Sequence, residues 1–255
     1  MNTFLLCSGV NGQVDSLDRL QQAVEYLRPE GILFAGGVLA LGRAYEPRAT
    51  EWGISREDAR FLERFYQAIG SMNVFTVLIP GAMDTPLDEF LRIGMHAEVE
   101  FPAVHIAHAT LITSDGVAVI GLGGWVSEGP ACELDCCSRT MAQYHLRVLA
   151  DARQPHRILL LGRPPVGSCG KQEGSLLTAE LIDSLRPSLC VTGGGDGGQR
   201  IQRVAHTLIV NPGYLSDGKA AWLDWRRSAA STVELLDLNA DLRHRMKART
   251  VASSH

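Results

Sequence analysis

No apolar stretch in this 255-residue chain approaches the roughly 18 residues that a membrane-spanning helix requires. No face of clustered Lys and Arg can be picked out either. The 24 basic residues are nearly matched by 28 acidic ones, for a formal net charge of −4, so the electrostatic footprint of a nucleic-acid binder is missing. The N-terminal MNTFLLCSGVNG has no basic leader region and runs straight into strand-like sequence, so it is not expected to be a signal peptide. Together these absences lead to the expectation of a cytoplasmic protein. Internal repeats and low-complexity tracts are lacking as well. The six cysteines have no disulfide framework to build in a chain long enough to bury a full core. Cys132, Cys136 and Cys137 form the cluster CELDCC, but it lacks C-x2-C spacing and a neighbouring histidine, so it reads as thiols at a helix start. No Ser/His/Asp or Cys/His constellation is visible.

What is present alternates between strand and helix. TFLLC (3–7), GILFAGG (31–37) and NVFTVLIPG (73–81) read as buried strands. Between the first two, Leu17, Leu20, Val24 and Leu27 recur on one helical face, with Asp15 or Ser16 expected as the cap and Pro29 as the stop. A second helix is expected near 56–70. In DTPLDEFLRIG, Thr85 reads as an N-cap, Pro86 as the first helical residue and Gly94 as a position near the C-cap. Asp115-Gly116 between two apolar runs predicts a hairpin. A helical segment is expected at about 134–152. Further strands are expected over 157–162, 188–193, 206–213, 219–225 and 231–238, with a helix over 175–187. A βαβαβ half followed by a strand-rich half predicts two sheets packed face to face with helices outside. The expected organisation is one domain over 1–240 and a short basic tail over 241–255.

In α/β sheets functional groups gather at the C-terminal ends of strands. Here those ends read CSGVNGQ (7–13), FAGGVLALG (34–42), IPGAMDTP (79–86), LLGRPPVG (160–167) and VTGGGDGG (191–198). Their order and spacing resemble the calcineurin-like metallophosphoesterase family, whose motifs run D-x-H-G-N, G-D, G-N-H-D/E, H and G-H-x-H. VIGLGGWVSE (119–128) resembles the family's GLGG loop, and TLIVNPGYLSDGKAAWLD (207–224) its closing Asn-Pro-Gly turn and strand pair. The resemblance covers about 3–225. It implies a four-layer αββα sandwich of two mixed sheets and a site in which two metal ions activate a water and clamp a phosphoryl group.

Carried over by position, the resemblance places Gly9 and Asn11 at the Asp and His of the first motif, and Gly37 at the Asp of the second. Ala82 and Met83 fall on the Asn and catalytic His of the third, with Asp84 on its trailing acid. Gly162 stands at the fourth motif's His, and Gly194 and Asp196 at the two His of the fifth. Gly12, Gly36, Gly81 and Gly193 retain the motif frame. Glycine and alanine side chains cannot ligate, and Met83 carries no proton to deliver to a leaving group. No register slip repairs this, because no His or Asp lies within two residues of Gly37 or Gly162. Asp84, without the histidine it supports in the family, is expected to cap the following helix or brace its turn.

The reading that follows is a non-catalytic relative with no cofactor, acting as a binding, scaffold or accessory subunit with a protein partner or as a homo-oligomer. Two alternatives stay open. One is a metal-dependent phosphoesterase with a reduced site built on Asn11 and Asp196. The other is an anion- or nucleotide-binding protein whose vacated cleft offers Asn11, Arg163, Gly195, Asp196 and the amides of Gly193–Gly198. The insertion RAYEPRATEWGISRED (43–58) places Tyr45 and Trp52, and the tail Arg245 and Lys247, as candidate partner contacts. His105 and His108 in AVHIAHATL are expected to be structural. GLGG lacks the helix and spaced acid of a dinucleotide loop.

Overall fold

The structure is a computed structural model that describes residues 1–40, 54–127, 136–167, 174–194, 198–226 and 232–240. The candidate contacts Tyr45, Trp52, Arg245 and Lys247, together with Gly195, Asp196 and Cys132, lie outside the described residues.

Fourteen strands and five α-helices follow one another among the described residues. Strand β1 (Thr3–Cys7), helix α1 (Val14–Leu27), β2 (Gly31–Phe34), α2 (Arg56–Ser71), β3 (Phe75–Leu78), α3 (Leu87–Glu100) and β4 (Val104–Ile106) form the first half. Then come β5 (Ile112–Ser114), β6 (Val117–Leu122), β7 (Trp125–Ser127), β8 (Cys136–Ser138), α4 (Arg139–Leu146) and β9 (His156–Leu161). The chain continues through α5 (Leu176–Leu185), β10 (Leu189–Thr192), β11 (Arg200–Val204), β12 (Thr207–Asn211), β13 (Lys219–Asp224) and β14 (Thr232–Asp237).

The strands make two six-stranded sheets, ordered β14-β13-β1-β2-β3-β4 and β11-β12-β10-β9-β6-β5, plus a β7-β8 pair. Each large sheet has a parallel centre, with β13 and β14 antiparallel in one and β5 and β11 antiparallel in the other. Because successive side chains in a strand point to opposite faces, β1 sends Phe4 and Leu6 between the sheets and Leu5 and Cys7 towards the helices. Both faces are covered, so the strands read as continuous apolar runs rather than alternations. Three buried clusters result: one under α1–α3, one between the sheets, and one under α4 and α5. The architecture is therefore the expected αββα sandwich.

Several local expectations are corrected. Helix α1 starts at Val14 with Gln13 as its N-cap, not Asp15 or Ser16; Ser16 faces the core, fully buried. The turn closed by Gln13 N–H to the Val10 carbonyl (3.1 Å) already aims the chain into the helix. Thr85 does not cap α3: Pro86 occupies that position, and the helix runs through Gly94 to Glu100. Gly94 is there for packing. A Cβ at this position would lie 2.0 Å from Ile106 Cδ1 and 2.7 Å from the Tyr66 hydroxyl. The expected helix over 134–152 is shorter, because Cys136–Ser138 pairs as a strand with Trp125–Ser127 and Ser138 caps α4 through the Met141 N–H. Strand β11 had no sequence-level signal, since every one of its residues is exposed and no apolar pattern marks it.

No helix among the described residues is long and apolar enough to cross a membrane.

Candidate functional site

The sandwich brings the five predicted strand ends together at one end of its two sheets. After β1 the chain turns through Gly9 and Asn11, both at positive φ (63° and 53°). Three hydrogen bonds lace this turn to the loop after β2: Gly9 N–H to the Gly36 carbonyl, Asn11 N–H to Gly37 and Gly12 N–H to Val38, all within 2.9 Å. The loop after β3 lies against the same loop, with Gly36 and Gly81 in backbone contact. A Cβ on Gly36 would stand 2.5 Å from the Gly81 backbone, and one on Gly81 would stand 2.3 Å from the Gly37 nitrogen. Across the sheets, a Cβ on Gly193 would stand 2.0 Å from the Ala35 carbonyl oxygen. These frame glycines have no room for any side chain.

The expected ligand positions differ from one another. At Gly37 a Cβ would touch Gly9 backbone at 3.0 Å; at Gly194, with φ 66°, it would lie 2.7 Å from the Gly162 carbonyl oxygen. Gly162 has only ordinary contact, 3.6 Å from the Gly124 oxygen. At Gly9 the obstacle is a side chain: ring carbon Cδ1 of Tyr214 stands 2.3 Å from where a Cβ would be. Tyr214 is placed there because Asn-Pro-Gly, beginning on the last residue of β12, turns the chain back over β1. Leu215 N–H reaches the Ser8 carbonyl at 2.8 Å and Ser216 N–H the Gly9 carbonyl at 2.9 Å, while Ser8 Oγ donates to the Gly213 carbonyl at 2.9 Å. Asn211 holds this turn from both sides, accepting from Gly213 N–H at 3.0 Å and donating to the Gly194 carbonyl at 3.2 Å.

Asn11 donates through Nδ2 to Ser216 Oγ at 2.9 Å, and its buried Oδ1 has no hydrogen-bond partner among the described residues. Ala82 and Met83 are half-buried in the turn after β3. Arg163 is half-buried beside Gly162, and its carbonyl accepts the Thr178 hydroxyl at 3.2 Å.

Asp84 braces its own turn, one of the two roles expected of it, by accepting the Gly81 N–H. It caps no helix. Fully buried, its carboxylate accepts four backbone N–H groups: Leu39 at 2.7 Å, Gly81 at 2.6 Å, Gly37 at 3.0 Å and Val38 at 3.1 Å. Burial pushes its carboxyl up from the ordinary carboxylate value, and the four donors pull it back down. Its work is to bind the loop after β2 to the loop after β3. Sequence reasoning missed this because three of the four donors come from backbone at least 45 residues away, although a lone acid between Gly81 and a helix start was the available signal. Tyr214 was missed for the same reason; its signal was the aromatic residue directly after Asn-Pro-Gly.

His108 is structural. Its Nδ1 accepts Gly123 N–H at 3.1 Å and so anchors the GLGG loop. Burial lowers its imidazole below the ordinary value, and His145 adds to the effect. His105, on β4, packs against the Phe75 ring at 5.3 Å.

The layered sheets and the convergence of five strand-end loops define a phosphoesterase-type αββα sandwich. The family model described as "Metallophosphoesterase, calcineurin superfamily" matches residues 1–234, and the chain belongs to that superfamily. Among solved structures, TT1561 of Thermus thermophilus is similar with a TM-score of 0.78 and 23% identity, over 93% of this chain and 99% of that one. A second crystal structure matches with a TM-score of 0.79 and 25% identity over the same shares. A 5'-nucleotidase from Candida albicans SC5314 is similar with a TM-score of 0.54 and 9% identity, over 94% of this chain and 52% of that one. These likenesses show the fold. No curated protein matches the chain significantly.

The superfamily implies a two-metal centre, and the residues described do not fit one. Among the described residues no group of three or more His, Cys, Asp or Glu side chains could hold a metal ion. Two divalent ions need several carboxylate or imidazole donors. That lack is consistent with reduced or lost catalytic activity.

Proposed function

We propose that the protein is a non-catalytic metallophosphoesterase-like subunit of the cytoplasm, working by binding a protein partner or further copies of itself. The observation that carries this reading is the Tyr214 ring standing against Gly9. The resemblance assigns the first metal-binding carboxylate to position 9, and here an aromatic ring takes that space. Of the other assigned ligand positions, Gly37, Ala82, Gly162 and Gly194 carry no donor side chain and only Asn11 and Asp196 carry an oxygen, while Met83 supplies no leaving-group proton. A cluster of carboxylates without metal would repel and pay for desolvation, so replacing them with glycine leaves a fold held by its core free of that cost. The aromatic and basic residues Tyr45, Trp52, Arg245 and Lys247 are the proposed partner contacts.

Elemental analysis of the purified full chain, with phosphomonoester and phosphodiester assays in added Mn2+, tests the reading. The expected result is no stoichiometric metal and no metal-dependent turnover. Stoichiometric metal with Mn2+-dependent turnover overturns it.

A further inference from the structure

Asn11 is followed by Gly12, and no other asparagine in the chain precedes a glycine. Asn-Gly is the asparagine sequence most open to deamidation, because glycine has no Cβ to obstruct attack by its own nitrogen. In that reaction the Gly12 nitrogen loses its proton to base and bonds to Asn11 Cγ. The Cγ–Nδ2 bond breaks, and Nδ2 takes a proton from water and departs as ammonia. The succinimide left behind is opened by a second water. Attack on its side-chain carbonyl gives aspartate at position 11, and attack on its main-chain carbonyl gives isoaspartate. Nothing is oxidised or reduced.

The folded chain opposes each step. The Gly12 N–H donates to the Val38 carbonyl at 2.8 Å, so the proton that must leave is held. Negative charge builds on Oδ1 as the new bond forms. That atom is buried with no hydrogen-bond partner among the described residues, so the charge goes unstabilised. The leaving nitrogen Nδ2 is tied to Ser216 Oγ at 2.9 Å. Asn11 and Gly12 are both at positive φ, 53° and 72°, in a turn fixed by Gly9 N–H to Gly36 and Asn11 N–H to Gly37. The loop that accepts these bonds is fixed in turn, because the Asp84 carboxylate accepts from Gly37 and Val38 at 3.0 and 3.1 Å.

We propose that Asn11 is a modification site whose reaction with water is controlled by the fold: it deamidates only when the loops after β1 and β2 part, and Asp84 and Ser216 set how often that happens. The rate is then that of the unfolded segment multiplied by the fraction of time the loops are apart. The change is one-way. Isoaspartate routes the main chain through an extra carbon, which takes the Gly12 N–H out of line with the Val38 carbonyl. Aspartate puts a charged oxygen where the buried Oδ1 has no donor among the described residues, and a buried charge without partners is costly. Either product prevents the two loops from closing as before, so a transient opening becomes a permanent one. The proposal asks nothing of the former metal positions and is independent of any partner.

To test it, the full-length protein is held in mildly alkaline buffer, folded and in urea. The peptide containing Asn11 is followed by mass spectrometry for conversion of amide to acid and for isoaspartate. The folded chain is expected to deamidate at position 11 about tenfold or more slowly than the unfolded one. Asp84→Asn and Ser216→Ala are compared with it, each first shown by circular dichroism and thermal melting to be folded at the assay temperature. They should deamidate about threefold or more faster than the folded wild type, with no change in urea. Should Asp84→Asn not fold, Ser216→Ala decides this arm. Deamidated protein separated by ion exchange should melt at a lower temperature than the unmodified chain. Equal rates in folded and unfolded wild type overturn the proposal, as do wild-type rates in the folded variants or an unchanged melting temperature after deamidation.

Discussion

The Tyr214 ring lies against the Gly9 backbone so closely that a Cβ at position 9 would stand 2.3 Å from its Cδ1 carbon. Gly9 also has φ 63°, a conformation that other residues adopt only at a cost. Restoring an acid here is thus a problem of space and of backbone.

Gly9→Asp is expected to lower stability by about 2–4 kcal/mol in denaturant unfolding, from overpacking and positive-φ strain together. Adding Tyr214→Gly should recover part of the loss, because the two positions share one volume. Gly9→Asp alone should not produce Mn2+-dependent turnover, since Gly37, Ala82, Gly162 and Gly194 still carry no donor side chain.

Asp84 gathers four N–H donors in a site with no access to water. Asp84→Ala is expected to cost about 3–5 kcal/mol, because buried donors left without an acceptor carry their full desolvation penalty. Asp84→Asn keeps one acceptor oxygen and should cost less. Urea midpoints at constant slope check both.

Stability should fall on acidification. Burial lowers the imidazoles of both His108 and His156 below the ordinary value of 6.5, and His156 lies stacked on Trp225 with centroids 4.0 Å apart. Below 6.5 the unfolded chain therefore binds protons that the folded one resists, and stability declines as pH drops from 6.5 towards the folded values. Protonated His108 also loses the lone pair that accepts Gly123 N–H. Thermal melts from about pH 7.5 to about pH 5.5 should show this fall. His108→Leu should flatten it while costing about 1–2 kcal/mol at neutral pH for the orphaned amide.

Gly94→Ala sets two effects against each other. Helix propensity favours alanine by about 1 kcal/mol. Packing opposes it, with Ile106 Cδ1 2.0 Å and the Tyr66 hydroxyl 2.7 Å from the new carbon. Ile106 can turn aside, but Tyr66 is wedged between Phe65 and Phe90. A net loss of about 1–2 kcal/mol in unfolding free energy is expected.

Much of the fold was legible because its signals are local. Doubly buried strands show as apolar runs, as in TFLLC, and helices as periodic ones, as in the series Leu17, Leu20 and Val24. Asp115-Gly116 marked its hairpin. Helix ends were read less well: Gly94 looks like a stop in sequence but is a packing glycine, and the cap of α1 is set by a backbone turn rather than by a polar side chain. Strand β11 carries no pattern because neither of its faces is buried.

For the site, residue chemistry was decided by the sequence alone. A glycine at 37 or 162 and a methionine at 83 offer no carboxylate or imidazole in any conformation. Only the tertiary structure decided what stands in their place. The ring of Tyr214 reaches Gly9, and the carboxylate of Asp84 reaches Gly37, Val38 and Leu39, across separations of 205 and at least 45 residues. Such contacts depend on how two sheets and their end loops are brought together, and no local pattern of residues records that distance.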